Sequence, residues 1–407
     1  MNGADIAEQF EKHLNSPKQT WLLGAGVSFA ANIPLMYPLT TRVMRLAREN
    51  YFAENATALE ILKFLESDIN EGSHIEEMLT HLGDCISIAE RSRKGGIEIN
   101  GALISKASLV GLHRKLLEII AETVRWGFRP ARIDDDGIEI EPERAGARGK
   151  SIVEIADHSK FISAVFGQNR AGVEYLRTPV EFFTTNYDTL LEDALALNRV
   201  AYLDGFTGGG IGFWNEESYT QERNARAVVT KLHGSTDWYR PDDIQSTILR
   251  VRDSDVYPNR SGGAVMIYPQ ATKYQNAQRD PFSELFQRFR HRLNVGVDHV
   301  LLICGYSFGD LHINDEIERA MASPKSQLTI IVFADEPNGH LPNTIRTWRS
   351  QMSWRKRVFV ASPKGLYQGE EGPHFGTPGQ LRDWWTFSGA TKLFAQGLPG
   401  DVQGAIQ

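Results

Sequence analysis

Short apolar runs alternate with amphipathic segments along much of this chain. Each run ends in glycine or in polar residues, which is typical of a buried strand followed by a loop. These runs predict strands at residues 20–23, 180–185, 227–232, 248–251, 264–268, 299–304 and 328–334. Apolar residues at helical spacing predict helices at residues 6–14, 39–51, 151–164, 189–197, 281–293 and 313–322. Because strand and helix broadly alternate from Val180 to Ala334, we predict an α/β fold with a Rossmann-like, doubly wound parallel sheet.

A helical pattern occupies residues 56–127. Its apolar residues recur at helical spacing, as at Leu59, Leu62 and Leu65, and we interpret the region as a helical module inserted into the α/β domain. We expect the apolar faces to pack within the module, with a groove for a partner as the alternative. Residues 129–150 are crowded with charge and predict a solvated loop, although a metal site on its aspartates is the alternative.

The pattern divides the chain into four parts. The last part contains several tryptophan, glycine and proline residues without clear periodicity, so we expect a tail that docks on the core or on a neighbouring subunit. The predicted parts are residues 1–55 (first portion of the Rossmann-like domain), 56–175 (helical insert with the charged loop 129–150), 176–340 (remainder of the nucleotide-binding domain) and 341–407 (tail).

Composition and charge narrow the class of protein. The 407 residues are 41% hydrophobic and 23% charged, which is ordinary for a soluble globular protein. A formal net charge of -7 argues against direct binding of nucleic acid, since neutralising phosphates needs clustered Lys and Arg. The two cysteines, Cys85 and Cys304, cannot build a disulfide framework or a four-cysteine zinc site. With no secretory signal near the N-terminus and no apolar run of membrane-spanning length, we expect a cytoplasmic protein without membrane attachment.

The first apolar run, residues 21–23, leads into a turn with two glycines. Gly24 and Gly26 permit a tight turn and the close approach of a pyrophosphate, and a following helix would present unpaired N–H groups to it. A dinucleotide-binding fingerprint expects a third glycine where this chain has Phe29. A purely structural connection between strand and helix is therefore the alternative.

Two further predicted strands end in polar residues that suit a ligand site. Asn186 and Asp188 follow the strand at residues 180–185, and a parallel sheet presents such residues at its carboxyl edge. Asn186 can hydrogen-bond a ribose, an amide or a water, whereas capping of the next helix by both residues is the alternative. His233 follows the strand at residues 227–232 and is the best candidate base, because imidazole titrates near neutral pH. A structural histidine is the alternative there.

A second glycine turn follows the strand predicted at residues 299–304. Ser307 lies between Gly305 and Gly309 and can hydrogen-bond a phosphate or a ribose from the opposite side of a cleft. In the alternative interpretation the two glycines only permit the turn and Asp310 caps the next helix.

Together, these four segments resemble the sirtuin-like family of NAD-consuming enzymes. The matching motifs, in the order and approximate spacing of the family, are Gly24-Ala25-Gly26-Val27-Ser28, Thr185-Asn186-Tyr187-Asp188, His233-Gly234 and Gly305-Tyr306-Ser307-Phe308. The likeness covers roughly residues 20–39 and 180–334. The chain departs from the protein deacylases of the family because it lacks four cysteines for a zinc ribbon and, at residues 31–34, their Gly-Ile-Pro-Asp-Phe-Arg continuation. Both departures look like the bacterial NAD hydrolases of anti-phage defence, so no zinc is expected.

The resemblance implies how these residues would share the cleavage of the nicotinamide–ribose bond. Asn186 would orient the attacking water and the ribose, His233 would bond a ribose hydroxyl and act as a base, and Asp188 would order the site. Ser307 would hold the adenosine side. The implied NAD-binding residues, of which the first four would hold the pyrophosphate, are Gly24, Ala25, Gly26, Ser28, Thr185, Gly305, Ser307 and Phe308.

The implied function is that of an NAD glycohydrolase, an NAD-depleting effector in bacterial anti-phage defence. Because uncontrolled loss of NAD would kill the host, we expect a homo-oligomer controlled by a separate partner, with a HerA-type ATPase preferred over an Argonaute-like protein. An NAD-dependent deacylase or ADP-ribosyl transferase is the nearest alternative. A non-catalytic subunit that binds NAD or ADP-ribose is the alternative from another class of protein.

Overall fold

A large sheet forms the centre of the molecule. The computed structural model describes residues 3–134, 136–167, 179–241, 248–252, 262–266, 281–294, 298–376 and 381–403. Within these ranges the strands of the central sheet, in chain order, are β1 (Gln19–Leu23), β2 (Val180–Thr184), β3 (Tyr202–Leu203), β4 (Ala227–Lys231), β5 (Val300–Cys304), β6 (Thr329–Phe333), β7 (Val358–Ser362), β8 (Gly365–Gln368) and β9 (Glu371–His374). Their order across the sheet is β9-β8-β7-β6-β5-β1-β2-β4-β3.

Most of the central sheet is parallel. The strands from β3 across to β7 run in one direction, whereas β8 and β9 are antiparallel to their neighbours. The chain passes from β1 to β2 on one side of β1 and later crosses to β5 on the other side. The predicted α/β class with a Rossmann-like parallel sheet is therefore confirmed. The loops after β1 and β5 lie at the switch point, where open α/β sheets bind their ligands.

Helices cover both faces of this sheet. Every residue of β1, β2 and β4 to β7 is buried, which explains their continuous apolar runs. Successive side chains point to opposite faces, so Trp21 and Leu22 of β1 belong to different core clusters. The helices are α1 (Gly3–Leu14), α2 (Met36–Leu46), α3 (Ala56–Asp68), α4 (Ile75–Arg91), α5 (Lys106–Trp126), α6 (Ala156–Gly167), α7 (Leu190–Leu197), α8 (Phe282–Leu293), α9 (Leu311–Ala322), α10 (Asn343–Ser350), α11 (Phe387–Gln396) and α12 (Gly400–Gln403). Residues of α1, α6, α7 and α11 pack on one face, and residues of α8, α9 and α10 pack on the other.

Helices α2 to α5 surround an apolar core of their own. Leu62, Leu82 and Leu116, from α3, α4 and α5, are almost fully buried in it. The apolar stripes of these helices therefore pack largely against one another. A hairpin of Gly96–Ile99 and Ala102–Ser105 connects α4 to α5, and the sequence pattern did not predict it.

Smaller strands extend the structure outside the central sheet. The charged stretch that was predicted as a loop contains two short antiparallel pairs, Phe128–Arg129 with Arg144–Ala145 and Arg132–Ile133 with Glu139–Glu141. A second sheet has the order Phe206–Gly208, Ile211–Trp214, Leu249–Val251, Gly234–Pro241, Gly262–Met266. In the part predicted as a tail, residues 358–374 supply β7 to β9, and α11 packs against α6.

Candidate active site

The loops after β1 and β5 touch through glycine backbone atoms. Gly26 N donates a hydrogen bond to Gly305 O at 2.9 Å, and Gly24 N donates to Cys304 O at 3.0 Å. A Cβ on Gly24 would lie 2.5 Å from Gly305 O, and a Cβ on Gly26 would lie 2.8 Å from Gly305 Cα. Gly305 has a φ of +65°, which favours glycine. These glycines are thus required by the contact between two loops, and their role in binding a pyrophosphate stays a prediction.

A short helical turn follows β1. Residues Ala25–Ser28 form one 3₁₀ turn, and α2 begins only at Met36. A break at residues 29–35 thus separates this turn from α2, which overlaps the helix predicted at residues 39–51. Asn32 has a φ of +63°, and Pro34 has no N–H group for a helical hydrogen bond, so the chain cannot continue as one helix through these positions.

Ser28 connects the two polar residues that follow β2. Its hydroxyl donates to Asp188 Oδ2 at 2.8 Å, and Asn186 Nδ2 donates to Ser28 Oγ at 3.0 Å. Asp188 Oδ1 accepts a hydrogen bond from Leu190 N at 3.0 Å and so also fixes the start of α7. Asn186 Oδ1 is buried and has no hydrogen-bond partner among the described residues. Because buried polar atoms normally have partners, this oxygen is a candidate acceptor for a water or a ligand hydroxyl.

His233 follows β4 and hydrogen-bonds a carboxylate from the far side of β1. His233 Nε2 lies 2.8 Å from Asp310 Oδ2, and both side chains are buried. Asp310 Oδ1 accepts a hydrogen bond from His312 N at 3.0 Å and caps α9. One carboxylate therefore both begins a helix and holds the candidate base.

The two groups of residues lie at the same edge of the sheet. β2 and β4 are parallel neighbours in which Thr184 lies opposite Lys231. Asn186 and His233 each follow this pair by two positions. The rings of Tyr187 and His233 have centroids 6.4 Å apart. The structure thus brings Asn186 and His233 to adjacent strand ends, as the sequence pattern predicted.

Buried charged side chains contact these loops. Lys231 Nζ donates to the backbone oxygen of Asp188 and lies 3.4 Å from Glu192 Oε1. Burial raises the pKa of Glu192, and the charge of Lys231 opposes this rise. Tyr187 OH donates to Glu76 Oε1 at 2.8 Å, which connects the sheet edge to α4 of the helical module.

Three other predicted NAD-binding residues lie around this edge with different exposure. Thr185 N donates to Leu23 O at 3.1 Å and so joins the loops after β2 and β1. Ala25 and Ser307 are exposed. Ser307 Oγ accepts a hydrogen bond from Gly309 N at 3.4 Å. Hydrogen bonds among the described residues do not join Ser307 to Ser28, Asn186 or His233.

The side chain of Phe308 is part of the core. It packs against the rings of Tyr306 and Trp348, with centroids 5.0 and 5.5 Å away. Asn314 Nδ2 donates to Phe308 O at 2.8 Å, and Tyr306 OH donates to Asp310 O at 3.0 Å. Burial raises the pKa of Tyr306 well above its usual range, so its hydroxyl stays a proton donor. These contacts fix the shape of the second glycine turn.

The predicted catalytic side chains lie below the molecular surface. Asn186, Asp188 and His233 are 8%, 7% and 4% exposed. Two pockets in the described part of the chain lie elsewhere, a small one of about 70 Å³ beside Phe29 and a groove of about 740 Å³ that includes Glu181. Glu181 is near the amino end of β2, so the groove opens at the opposite edge of the sheet. Neither of these two pockets includes Asn186, Asp188 or His233.

The sequence pattern did not identify Asp310 and Glu76 as partners of site residues. Asp310 was interpreted only as a possible helix cap. The position of Asp310 after a glycine turn at the carboxyl edge of the sheet could have indicated a second role for its carboxylate. Glu76 gave no such signal, because it is one of several acidic residues on α4.

The described ranges contain neither a metal-binding cluster nor a membrane-spanning helix. Those ranges contain no group of three or more His, Cys, Asp or Glu side chains arranged to hold a metal ion. In the same part of the chain, each helix is too short or too polar to cross a membrane.

Comparison with known families matches residues 180–353 to the SIR2-like domain. The matched region is less than half of the chain and includes Asn186, His233 and Asp310. The fold is that of an α/β protein, and residues 180–353 within it are similar to the SIR2-like domain. The first glycine motif, at residues 24–28, lies outside the match.

Comparison with solved structures gives matches of low sequence identity. A Sir2 homologue in complex with NAD has 10% identity and a TM-score of 0.36, over 98% of this chain and 95% of that chain. A Sir2 variant with a deacetylated p53 peptide and 3′-O-acetyl ADP-ribose has 11% identity and a TM-score of 0.30, over 80% and 87%. A structure described for sirtuin substrate affinity has 11% identity and a TM-score of 0.29, over the same shares. Comparison with curated proteins gave no match.

Proposed function

We propose that this chain is an NAD glycohydrolase that releases nicotinamide and ADP-ribose. The match to the SIR2-like domain supports NAD-dependent chemistry at the level of the family. The observation that carries the proposal is the position of the Ser28–Asn186–Asp188 cluster beside His233. Both lie at the carboxyl edge next to the switch point, where open α/β sheets bind nucleotides.

The residue types suit the charges that develop in this reaction. The bond between ribose C1 and nicotinamide breaks, and its electron pair neutralises the ring nitrogen. The oxygen of water forms the new bond to C1, and a proton passes from that water to a base. Since positive charge develops on the ribose, the site must hold the sugar rigidly and admit one oriented water. Asn186 Oδ1, which is buried without a described partner, suits the water or a ribose hydroxyl, and His233 suits the proton acceptor.

We further propose that the chain is an NAD-depleting effector in bacterial anti-phage defence. On the resemblance described above, it would act in the cytoplasm as a homo-oligomer and be controlled by a HerA-type ATPase. The burial of Asn186, Asp188 and His233 supports a controlled activity. If these buried side chains become accessible only in an open form, any partner that changes the population of that form can regulate the activity.

A non-catalytic subunit that binds NAD or ADP-ribose is the second candidate. The same burial favours it, because a closed edge restricts the entry of water and the release of products. This candidate predicts tight binding of NAD without turnover, with or without the partner.

Nicotinamide release from NAD tests these functions. The purified chain is incubated with NAD alone and with a HerA-type ATPase, and nicotinamide and ADP-ribose are separated by chromatography. We expect release without an acceptor, and a loss of at least about 100-fold in Asn186→Ala and His233→Ala. His291→Ala, at an exposed position in the distant groove, is the matched control and should retain full activity.

The other outcomes identify the alternatives. Release at the unmodified rate by folded Asn186→Ala and His233→Ala proteins would contradict the assignment. Turnover only with an acylated peptide or a protein acceptor would identify a deacylase or an ADP-ribosyl transferase.

A further inference from the structure

Asp310 holds His233 from a distant loop. Between β5, which precedes Asp310, and β4, which precedes His233, lie β1 and β2. With strands about 4.8 Å apart, the two strand ends are separated by about 14 Å, so the two loops reach toward each other over the ends of β1 and β2. Ser28 and Asn186 follow those two middle strands. The His233–Asp310 pair therefore spans the part of the edge where the other candidate residues lie.

We propose that Asp310 is a positioning residue that keeps the proton of His233 on Nε2 and the lone pair on Nδ1. The proposal rests on the proposed function and assigns the atom of His233 that acts as the base. An ionised carboxylate can only accept hydrogen bonds, so the contact of 2.8 Å requires Nε2 to donate. In the neutral imidazole the other nitrogen, Nδ1, then carries the lone pair that accepts a proton from a ribose hydroxyl or a water.

The carboxylate of Asp310 is fixed by other contacts. Oδ1 accepts hydrogen bonds from His312 N at 3.0 Å and Ile313 N at 3.5 Å. The backbone oxygen of Asp310 accepts the hydroxyl of Tyr306 at 3.0 Å. Rotation of the carboxylate away from His233 would therefore break the cap of α9. A rigid carboxylate of this kind selects both the tautomer and the orientation of the ring that it contacts.

Asp310→Asn is expected to change which nitrogen of His233 carries the proton while keeping the helix cap. Asparagine is as good a helix cap as aspartate, so its Oδ1 can still accept from His312 N. Its amide group would then face Nε2 as a donor, which requires the lone pair on Nε2 and the proton on Nδ1. The matched control is Asp68→Asn, because His81 Nε2 lies 3.0 Å from Asp68 Oδ2 on the surface of the helical module.

Two measurements on the full chain test the proposal. Nitrogen NMR of histidine-labelled protein reports the tautomer, with the His233 signal assigned by its loss in His233→Ala. Steady-state kinetics on NAD separates kcat from KM. We expect Asp310→Asn to switch the tautomer of His233 and to lower kcat by about 100-fold or more, with KM changed only a few-fold. Asp68→Asn should change neither the His233 signal nor the kinetics.

The possible results separate this proposal from the proposed function. An unchanged tautomer and kcat in Asp310→Asn would overturn the positioning role, while an inactive His233→Ala would retain the NAD glycohydrolase. If the unmodified chain does not turn over NAD even with a partner, the proposed function fails, and the NMR signal alone decides what Asp310 does. If Asp310→Asn does not fold, Asp310→Ser keeps a capping oxygen but is too short to contact the ring. It should then give a mixture of tautomers, and retention of the Nε2 proton alone would overturn the proposal.

Discussion

Gly24→Ala tests whether the first glycine motif is needed for folding or only for a ligand. Gly24 has φ of −107° and ψ of −177°, an extended conformation that alanine adopts freely. The added methyl group therefore probes space alone. That space is filled by the protein itself, since the new Cβ would lie 2.5 Å from both Gly305 O and Tyr306 Cα.

The expected cost follows from these two contacts. Because both opposing atoms belong to the backbone, a rotamer change cannot relieve the overlap, and overpacking of this kind costs about 1–3 kcal/mol. Moving the loops apart also weakens the hydrogen bond from Gly26 N to Gly305 O, at about 1 kcal/mol. We expect a loss of about 2–4 kcal/mol in the free energy of unfolding, without any NAD present.

Urea unfolding of the free protein is the assay. Melting temperature is less sensitive, because in a chain of 407 residues each kcal/mol shifts it by only about 1 °C. Gly309→Ala, in the loop after β5, is the matched control, since a Cβ there would lie 3.5 Å from Ser307 Oγ, an ordinary van der Waals distance. A Gly24→Ala protein as stable as Gly309→Ala, but unable to bind NAD, would refute the loop-contact reasoning and assign the glycine to the ligand alone.

Two further changes test the buried contacts around the site. Tyr187→Phe removes the hydroxyl that contacts the buried Glu76 and should lower the free energy of unfolding in urea by about 1–3 kcal/mol. Tyr51→Phe, at an exposed position, should lower it much less, and equal losses in the two variants would contradict this reasoning. Lys231→Met leaves Glu192 buried without its cation and should cost about 3–5 kcal/mol. Because burial raises the pKa of Glu192 above 4.5, the folded state binds more protons than the unfolded state, and its stability contribution falls as pH rises above that value. Removing Lys231 raises this pKa further, so the loss should grow between about pH 5 and about pH 8, and a loss that shrinks over this interval would contradict the reasoning.

Five strands of the central sheet, β1, β2, β4, β5 and β6, were predictable because they are buried on both faces. The runs at residues 20–23, 299–304 and 328–334 contain few polar positions, and β1, β5 and β6 begin and end within one residue of them. Helices between β4 and β6 followed from their apolar spacing in the same way. The α/β class therefore follows from local patterns, which record burial directly.

Some strands were not predicted because the residues around them have a helical or irregular pattern. Asn100 and Gly101 have φ values of +49° and +82°, and Asn-Gly is a strong signal for a tight hairpin. It stands between two long helices, so its flanking strands were not distinguished from helix. The strand Val358–Ser362 is an apolar run in an irregular segment, and only its pairing with β6 identifies it.

The candidate site was predictable in its residue types but not in its pairs. Asn186 and His233 could be placed at one edge because each follows a buried parallel strand. His233 and Asp310 are 77 positions apart, so their contact depends on the packing of loops that the sequence does not specify. The contact of Gly24 with Gly305 could not be predicted for the same reason, and the local sequence suggested that Gly24 leaves space for a ligand.

The location of bound ADP-ribose tests the central claim most directly. A crystal structure of the chain with ADP-ribose should place ribose hydroxyls within about 2.6–3.2 Å of Asn186 and His233, with the pyrophosphate beside residues 24–28. ADP-ribose in the groove that includes Glu181, at the opposite edge of the sheet, would contradict the account.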